Sequence, residues 1–98
     1  MENINIRQIM KEAVLRNGII VDVRDRDSFK KAHIPMAICI PFEDIESGYF
    51  RLPKGRDIIC YCDTGATSIR AANLLSRKGY KTVNCVGGIL SYKGSLTS

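Results

Sequence analysis

The fold of this chain of 98 residues is decided by residues 57–83, DIICYCDTGATSIRAANLLSRKGYKTV. The first part, 57–62, is an unbroken run of strand length that is rich in apolar side chains. The polar loop 63–67 follows directly, and apolar side chains then recur at helical spacing through 68–78. A strand that passes through a short loop into a helix is the building unit of a parallel α/β sheet.

Patterns on both sides of this unit extend the same alternation. The apolar stripe that begins at Ile6 has helical spacing, which Asn5 can cap and Gly18 can end. The other predicted elements are a strand at 19–23, a short helix at 27–31 capped by Asp25 or Asp27, a weaker strand at 37–40, a last strand at 81–86, and a short final helix opened by Gly87 and Gly88. Strands that alternate with helices predict an α/β domain with a largely parallel sheet.

Length and composition indicate one globular domain spanning residues 1–98. The chain is 45% hydrophobic and 26% charged, which argues against a disordered or low-complexity protein. No apolar run reaches the roughly 20 residues that a membrane span needs. The first residues lack the pattern of a signal peptide, so we expect a soluble protein of the cytoplasm with no membrane partner.

The net charge of +5 is distributed unevenly along the chain. Residues 51–98 contain eight basic side chains but only two acidic ones, Asp57 and Asp63. Such a field favours anionic ligands. Nucleic acid is a weaker alternative, because the sequence has no zinc-finger spacing, no aromatic ribonucleoprotein signature and no long basic stretch.

The chain has four cysteines but no pair with the spacing of a metal site, and its single histidine, His33, is remote from them. We therefore expect free thiols and no metal. Cys39 and Cys85 fit packed strand positions. Cys60 points to the same side as Cys62, two residues later, so it is either a core residue or a resolving thiol.

Cys62 differs from the others because it ends a strand at the head of a loop that leads into a helix. Ligands bind at this place in open α/β sheets. Gly65 can take a positive φ and let successive backbone N–H groups turn inward, while Thr67 or Ser68 caps the helix. The helix dipole and these N–H groups would stabilise a thiolate, which is the nucleophilic form of cysteine. The alternative is a small residue that is merely packed at the end of a strand.

These segments resemble the rhodanese-like, single-domain sulfurtransferases from about Asn3 to Ser95. Residues 19–41, IIVDVRDRDSFKKAHIPMAICIP, are similar to the family's Asp-Val-Arg strand end and His-Ile-Pro-x-Ala turn. Residues 57–83 resemble the active-site strand, cysteine loop and helix, and VGGILSYK at 86–93 resembles the closing motif, with Tyr92 in place of Trp. The resemblance implies a three-layer α/β domain whose largely parallel, roughly five-stranded sheet is flanked by helices.

The resemblance also implies a reaction that needs no metal or organic cofactor. Cys62 would take sulfur from a small anionic donor such as thiosulfate or a persulfide. It would pass this sulfur to cyanide, to a thiol or to a sulfur-relay protein. The residues implied to bind the donor are those of the loop: Asp63, Thr64, Gly65, Ala66, Thr67 and Ser68. Asp22 and Arg24 match a structural pair of the family, and His33 matches its turn histidine.

The loop departs from the family pattern at two positions where active members commonly have arginine. Asp63 and Thr67 stand there in this chain. If Asp63 faces the loop interior it disfavours a dianionic donor, so a less charged persulfide fits better than thiosulfate. Arg70 is a candidate to replace part of the lost charge. A cysteine-dependent phosphatase would need arginine at position 68, which is Ser68. A catalytically inactive binding module with the same fold remains the alternative.

Overall fold

Five parallel strands form the sheet of the protein, for which a computed structural model describes residues 1–98. In chain order they are β1 (Glu2–Asn5), β2 (Ile19–Asp22), β3 (Ile38–Cys39), β4 (Ile58–Tyr61) and β5 (Thr82–Val86). Across the sheet the order is β1-β5-β4-β2-β3, and every neighbouring pair is parallel. The predicted α/β fold with a largely parallel sheet is confirmed. Since all strands run the same way, their carboxyl ends lie along one edge.

Four α-helices and two short 3₁₀ segments accompany the sheet. They are α1 (Ile9–Arg16), α2 (Arg26–Lys31), α3 (Phe42–Ser47) and α4 (Ala66–Arg77), with 3₁₀ segments at Ile6–Gln8 and Ile89–Ser91. Asp25 caps α2, where its carboxylate accepts a hydrogen bond of 2.8 Å from the Ser28 N–H. The longest helix, α4, has 12 residues, and none of the helices could cross a bilayer.

The core lies in two clusters on opposite faces of the sheet. Side chains of β4 alternate between them, as expected for a strand covered on both faces. On one face Ile59 and Tyr61 pack with α1. On the other face Ile58, Cys60 and Cys62 pack with α3 and α4. Cys60 and Cys62 therefore share one side of the sheet, as the sequence predicted.

The amino-terminal segment differs from the sequence prediction. The edge strand β1 carries no apolar alternation that would reveal it, because Ile4 is its only buried side chain. The helix predicted from Ile6 begins as a 3₁₀ turn and becomes α-helical at Ile9. Asn5 caps this turn as predicted, accepting a hydrogen bond of 2.9 Å from the Arg7 N–H.

Helix α3 and the short β3 also differ from the sequence pattern. Helix α3 follows Pro41 and ends at Gly48, which has a left-handed φ of 80°. The sequence did not predict this helix. It has six residues and only one of them, Ile45, is buried, so no apolar side chains recur at helical spacing. Strand β3 contains two residues, where the sequence predicted four.

Helix α4 begins two residues earlier than predicted, at Ala66. Gly65, with φ of 106°, precedes it, and no side chain caps the helix. The predicted caps, Thr67 and Ser68, lie inside the first turn instead. The Ser68 N–H, which a capping side chain could have satisfied, donates to the Cys62 sulfur. The expectation of a Thr67 or Ser68 cap is thus wrong, because Cys62 occupies that place.

Candidate active site

The Cys62 sulfur lies at the carboxyl edge of the sheet, between the end of β4 and the start of α4. Its Sγ accepts hydrogen bonds from the Gly65 N–H at 3.1 Å and the Ser68 N–H at 3.2 Å. Residue 62 is 4% exposed. Among the amides of residues 63–68, which the sequence assigned to an anion-binding nest, these two donate to the sulfur. Two N–H donors at the amino end of a helix favour negative charge on the sulfur.

Two glycines make this loop conformation possible. The left-handed φ of Gly65 turns its N–H toward Sγ, and a Cβ at this position would lie 3.3 Å from the Cys85 carbonyl oxygen. Gly88 approaches the loop from the following segment, where a Cβ would overlap the Asp63 backbone. The neighbouring Ile89 N–H donates to the Cys62 carbonyl at 2.9 Å. The segment after β5 therefore holds the cysteine loop from outside.

A chain of side-chain hydrogen bonds leads away from Cys62 beneath the loop. The Cys62 thiol donates to Ser68 Oγ at 3.4 Å, and Ser68 Oγ donates to Asn84 Oδ1 at 2.6 Å. Asn84 Nδ2 then donates to Asn3 Oδ1 at 3.1 Å. Neither Asn84 nor Asn3 was predicted from the sequence. For Asn84 the available signal is an amide side chain inside the mostly buried strand TVNCV.

Asp63 is not part of the sulfur cradle, the pair of N–H groups from Gly65 and Ser68 that donate to Cys62 Sγ. Its side chain is 65% exposed, and its Oδ1 lies 3.9 Å from the Arg24 guanidinium. Arg24 itself forms an ion pair of 2.7 Å with the buried Asp22. The Tyr61 hydroxyl donates to the same carboxylate at 2.6 Å. The Asp22–Arg24 pair thus supports the wall next to the loop, which matches the structural role expected for it.

An open pocket of about 440 Å³ lies over Cys62. Its lining residues are Val23, Arg24, Asp25, Phe42, Glu43, Cys62, Asp63, Thr64 and Thr67. Three of these side chains are carboxylates and one is a guanidinium, which is already paired with Asp22. Although the chain as a whole is basic, the mouth of this pocket is acidic.

The remaining cysteines are free thiols set into the packing of the sheet. Burial raises the pKa of Cys85 to about 12, and burial also raises the pKa of Cys60. Cys39 is half-buried, and its pKa is raised by burial and by the nearby Asp22. These three thiols are held in the protonated, unreactive form. No three His, Cys, Asp or Glu side chains converge in a group that could hold a metal ion.

His33 and Arg70 stand apart from the sulfur. His33 stacks on Phe29 with ring centroids 3.7 Å apart, and its Nδ1 is 2.8 Å from the Phe29 carbonyl oxygen. Arg70 lies over the Phe42 ring at 4.5 Å and lines a separate groove between α3 and α4. Arg70 therefore does not supply the charge that the loop lacks.

The fold and the cysteine loop together define a parallel α/β domain with a sulfur cradle at the carboxyl edge of its sheet. The family model of the Rhodanese-like domain matches residues 6–95, and the chain belongs to this family. It is 33% identical over 75 residues to a sulfurtransferase of Allochromatium vinosum, spanning 76% of this chain and 70% of that protein.

Two further comparisons agree with this membership. A tRNA sulfurtransferase of Desulfurococcus amylolyticus is 31% identical over 85 residues, which are 87% of this chain but 17% of that protein. The crystal structure of a rhodanese-like domain protein from Staphylococcus aureus has a TM-score of 0.84 at 26% identity. That comparison covers 99% of this chain and 97% of the other.

Proposed function

We propose that the protein is a sulfurtransferase that carries sulfane sulfur as a persulfide on Cys62. One observation carries the proposal: the Cys62 sulfur receives two backbone N–H hydrogen bonds and adjoins an open pocket. Two such donors favour the thiolate, the reactive form of cysteine. Membership of the rhodanese-like family and the sulfurtransferase names of relatives support the same reaction class.

The reaction consists of two displacements at sulfur. The Cys62 thiolate attacks the outer sulfur of a donor, a new S–S bond forms, and the donor's own S–S bond breaks. The leaving group keeps the bonding electron pair and departs as a thiolate, or as sulfite from thiosulfate. A thiolate or cyanide then attacks the outer sulfur of the persulfide, and Cys62 leaves as a thiolate. The atoms and electrons balance without a metal or redox cofactor.

The loop residues 63–68 would contact the donor. Thr64 and Thr67 line the pocket and offer hydroxyl groups, while the Gly65 and Ser68 amides hold charge on sulfur. Ala66 leaves room at the start of α4, and Asp63 lies at the rim. The three carboxylates of the lining repel a dianion, so a persulfide of low charge suits this pocket better than thiosulfate.

The acceptor class is a thiol, cyanide or a sulfur-relay protein. Thiols are abundant and reduced in the cytoplasm, where Cys62 would be regenerated after each transfer. We therefore propose the cytoplasm as the place of action.

Mass measurement of the intact protein after incubation with a sulfane donor tests the proposal. We expect one added sulfur atom, located at Cys62 by peptide mapping and removed by a thiol or cyanide. Cys62→Ser abolishes the addition, whereas Cys39→Ser retains it because Cys39 lies outside the pocket lining. If neither thiosulfate nor small persulfides add sulfur, or if the Cys62→Ser protein is loaded equally, the proposal is wrong.

The alternative is a rhodanese-like binding module that lacks activity. The observation in its favour is the replacement of the family's loop arginines by Asp63 and Thr67. Under this alternative, Cys62 reacts with an alkylating reagent no faster than an ordinary thiol with a pKa of about 8.5. Alkylation kinetics of the folded protein therefore separate the two functions.

A further inference from the structure

We propose that Asn84 is a positioning residue that, together with Asn3, sets the direction of the Ser68 hydroxyl hydrogen and thereby the reactivity of Cys62. This inference rests on the proposed role of Cys62 as a nucleophile. It starts from the chain of hydrogen bonds that runs from Cys62 through Ser68 and Asn84 to Asn3. Both asparagines lie outside residues 63–68, the loop that the sequence predicted to bind the donor.

The Ser68 hydroxyl has one hydrogen and two lone pairs, so its partners compete for that hydrogen. In the structure two acceptors lie within reach of the hydrogen, Asn84 Oδ1 at 2.6 Å and the Gly65 carbonyl oxygen at 3.3 Å, and a lone pair of Ser68 Oγ faces the Cys62 thiol at 3.4 Å. This arrangement suits the thiol, which is itself a donor. A thiolate can only accept, so it would gain a third hydrogen bond only if the Ser68 hydrogen turned toward it.

Asn84 can support either direction because its amide carries an acceptor oxygen and a donor nitrogen of nearly equal shape. In the observed orientation Oδ1 faces Ser68 and Nδ2 faces Asn3. A half-turn of the amide would present Nδ2 to Ser68 Oγ and leave the hydroxyl hydrogen to the Gly65 carbonyl and the Cys62 sulfur, of which a thiolate is the stronger, charged acceptor. Since Asn84 is 2% exposed, it needs a protein partner on its far side in both orientations.

Asn3 supplies that partner from the edge strand. It is paired directly opposite Asn84 in the β1–β5 register, and it is exposed to water. Its own amide can therefore turn at little cost and meet either end of the Asn84 amide. The orientation of the Asn3 amide thus sets the orientation of Asn84, which decides whether the Ser68 hydroxyl accepts from a Cys62 thiol or donates to a Cys62 thiolate.

Packing alone does not explain an asparagine at position 84. The position lies in a buried strand between Val83 and Cys85, where an apolar side chain would avoid the cost of removing an amide from water. The amide is retained there with both of its polar atoms bonded. Its bond to Ser68 Oγ places it one hydrogen bond from the sulfur.

The substitution Asn3→Asp tests the hydrogen-bond chain at its exposed end. A carboxylate is an acceptor only, so it holds Asn84 Nδ2 at the edge and keeps the Ser68 hydrogen away from Cys62. We expect alkylation of Cys62 at neutral pH to slow by about fivefold to tenfold, with its pH profile moved to higher pH. The site of modification is read from the Cys62 peptide.

Asn5→Asp is the matched control. It places the same charge on the same strand, and an aspartate there can still cap the following turn. We expect its alkylation rate to equal that of the unaltered protein. Equal rates of Cys62 alkylation in Asn3→Asp and Asn5→Asp would overturn the proposal. Any change from the unaltered protein would then come from the added negative charge, which both variants share, and not from the hydrogen-bond chain.

The double variant with Ser68→Ala completes the experiment. Without the hydroxyl, Asn3→Asp should have no further effect on Cys62, whereas a direct electrostatic effect would persist and contradict the chain. Alkylation needs no sulfur donor, so this result is independent of the sulfur-loading test. Failure of the chain leaves sulfur loading intact, and failure of sulfur loading leaves the alkylation comparison valid.

Discussion

The Asp63 carboxylate lies beside the Arg24 guanidinium, with 3.9 Å between Oδ1 and the nearest nitrogen. Arg24 is committed to the buried Asp22, so it offsets Asp63 only in part. Asp63 remains at the rim of the pocket with Asp25 and Glu43. Under the proposed function, a sulfur donor that reaches Cys62 would pass these three carboxylates. Charge at the rim of the pocket would then discriminate between donors.

Asp63→Asn should favour thiosulfate selectively. Removing one exposed charge near a dianion changes their interaction by about 1 kcal/mol, which corresponds to roughly fivefold in rate. We expect kcat/KM for thiosulfate, a dianion, to rise by about this factor, and the value for a monoanionic alkyl persulfide to rise less. Rates for both donors at low and high salt provide the check, since screening should help thiosulfate more than the persulfide. An equal change for both donors would contradict the assignment.

Gly65→Ala should damage the sulfur cradle. The left-handed φ of 106° disfavours a side chain, and the added Cβ would lie 3.3 Å from the Cys85 carbonyl oxygen. We expect a loss of about 1–2 kcal/mol in the free energy of unfolding and slower alkylation of Cys62. Chemical denaturation and alkylation kinetics measure the two effects.

Gly55→Ala is the control for this substitution, because a Cβ at Gly55 meets nothing within 4 Å. It should leave both quantities nearly unchanged. If Gly65→Ala also left the alkylation rate unchanged, the Gly65 N–H would not contribute to the reactivity of Cys62.

The central part of the fold and the position of Cys62 could be predicted because the relevant signals are local. A β-branched run, a polar loop and a helical stripe adjoin one another in residues 57–78, so the sequence alone indicates a cysteine at a strand end. By contrast, β1 could not be predicted from the sequence. Three of its four side chains are exposed, so they show no apolar alternation, and the strand is defined by its pairing with β5.

The surroundings of the cysteine loop, by contrast, depend on contacts between residues that are distant in sequence. Asn3 and Asn84 are 81 positions apart, and only the strand order β1-β5-β4 brings them beneath Ser68. The direction of Asp63 likewise depends on Arg24, which belongs to another strand end. The acidic pocket mouth also combines side chains from separate segments. Net charge along the chain could not predict it.

Tyr61→Phe should reduce stability while leaving the reactivity of Cys62 unchanged. The Tyr61 hydroxyl accepts a hydrogen bond of 3.1 Å from the Ile34 N–H and donates to Asp22 at 2.6 Å, on the sheet face opposite the sulfur. Its removal leaves a buried N–H without a partner, which costs about 1–3 kcal/mol. Denaturant unfolding measures this loss. A parallel fall in the alkylation rate of Cys62 would show that the two faces are coupled.

Alkaline pH should destabilise the fold through its buried thiols. Burial raises the pKa of Cys85 from 9.0 to about 12 and raises that of Cys60 in the same sense. The folded state therefore keeps these protons after the unfolded chain has lost them, and the stabilisation present below pH 9 declines as the pH rises toward 12. Cys85→Ala should lower the free energy of unfolding at neutral pH, because it leaves a cavity, and should flatten this decline. Ile59→Val, a buried substitution without a titrating group, should lower stability and keep the full decline. Identical pH slopes for Cys85→Ala and Ile59→Val in denaturant titrations would exclude Cys85 as a source of the alkaline instability.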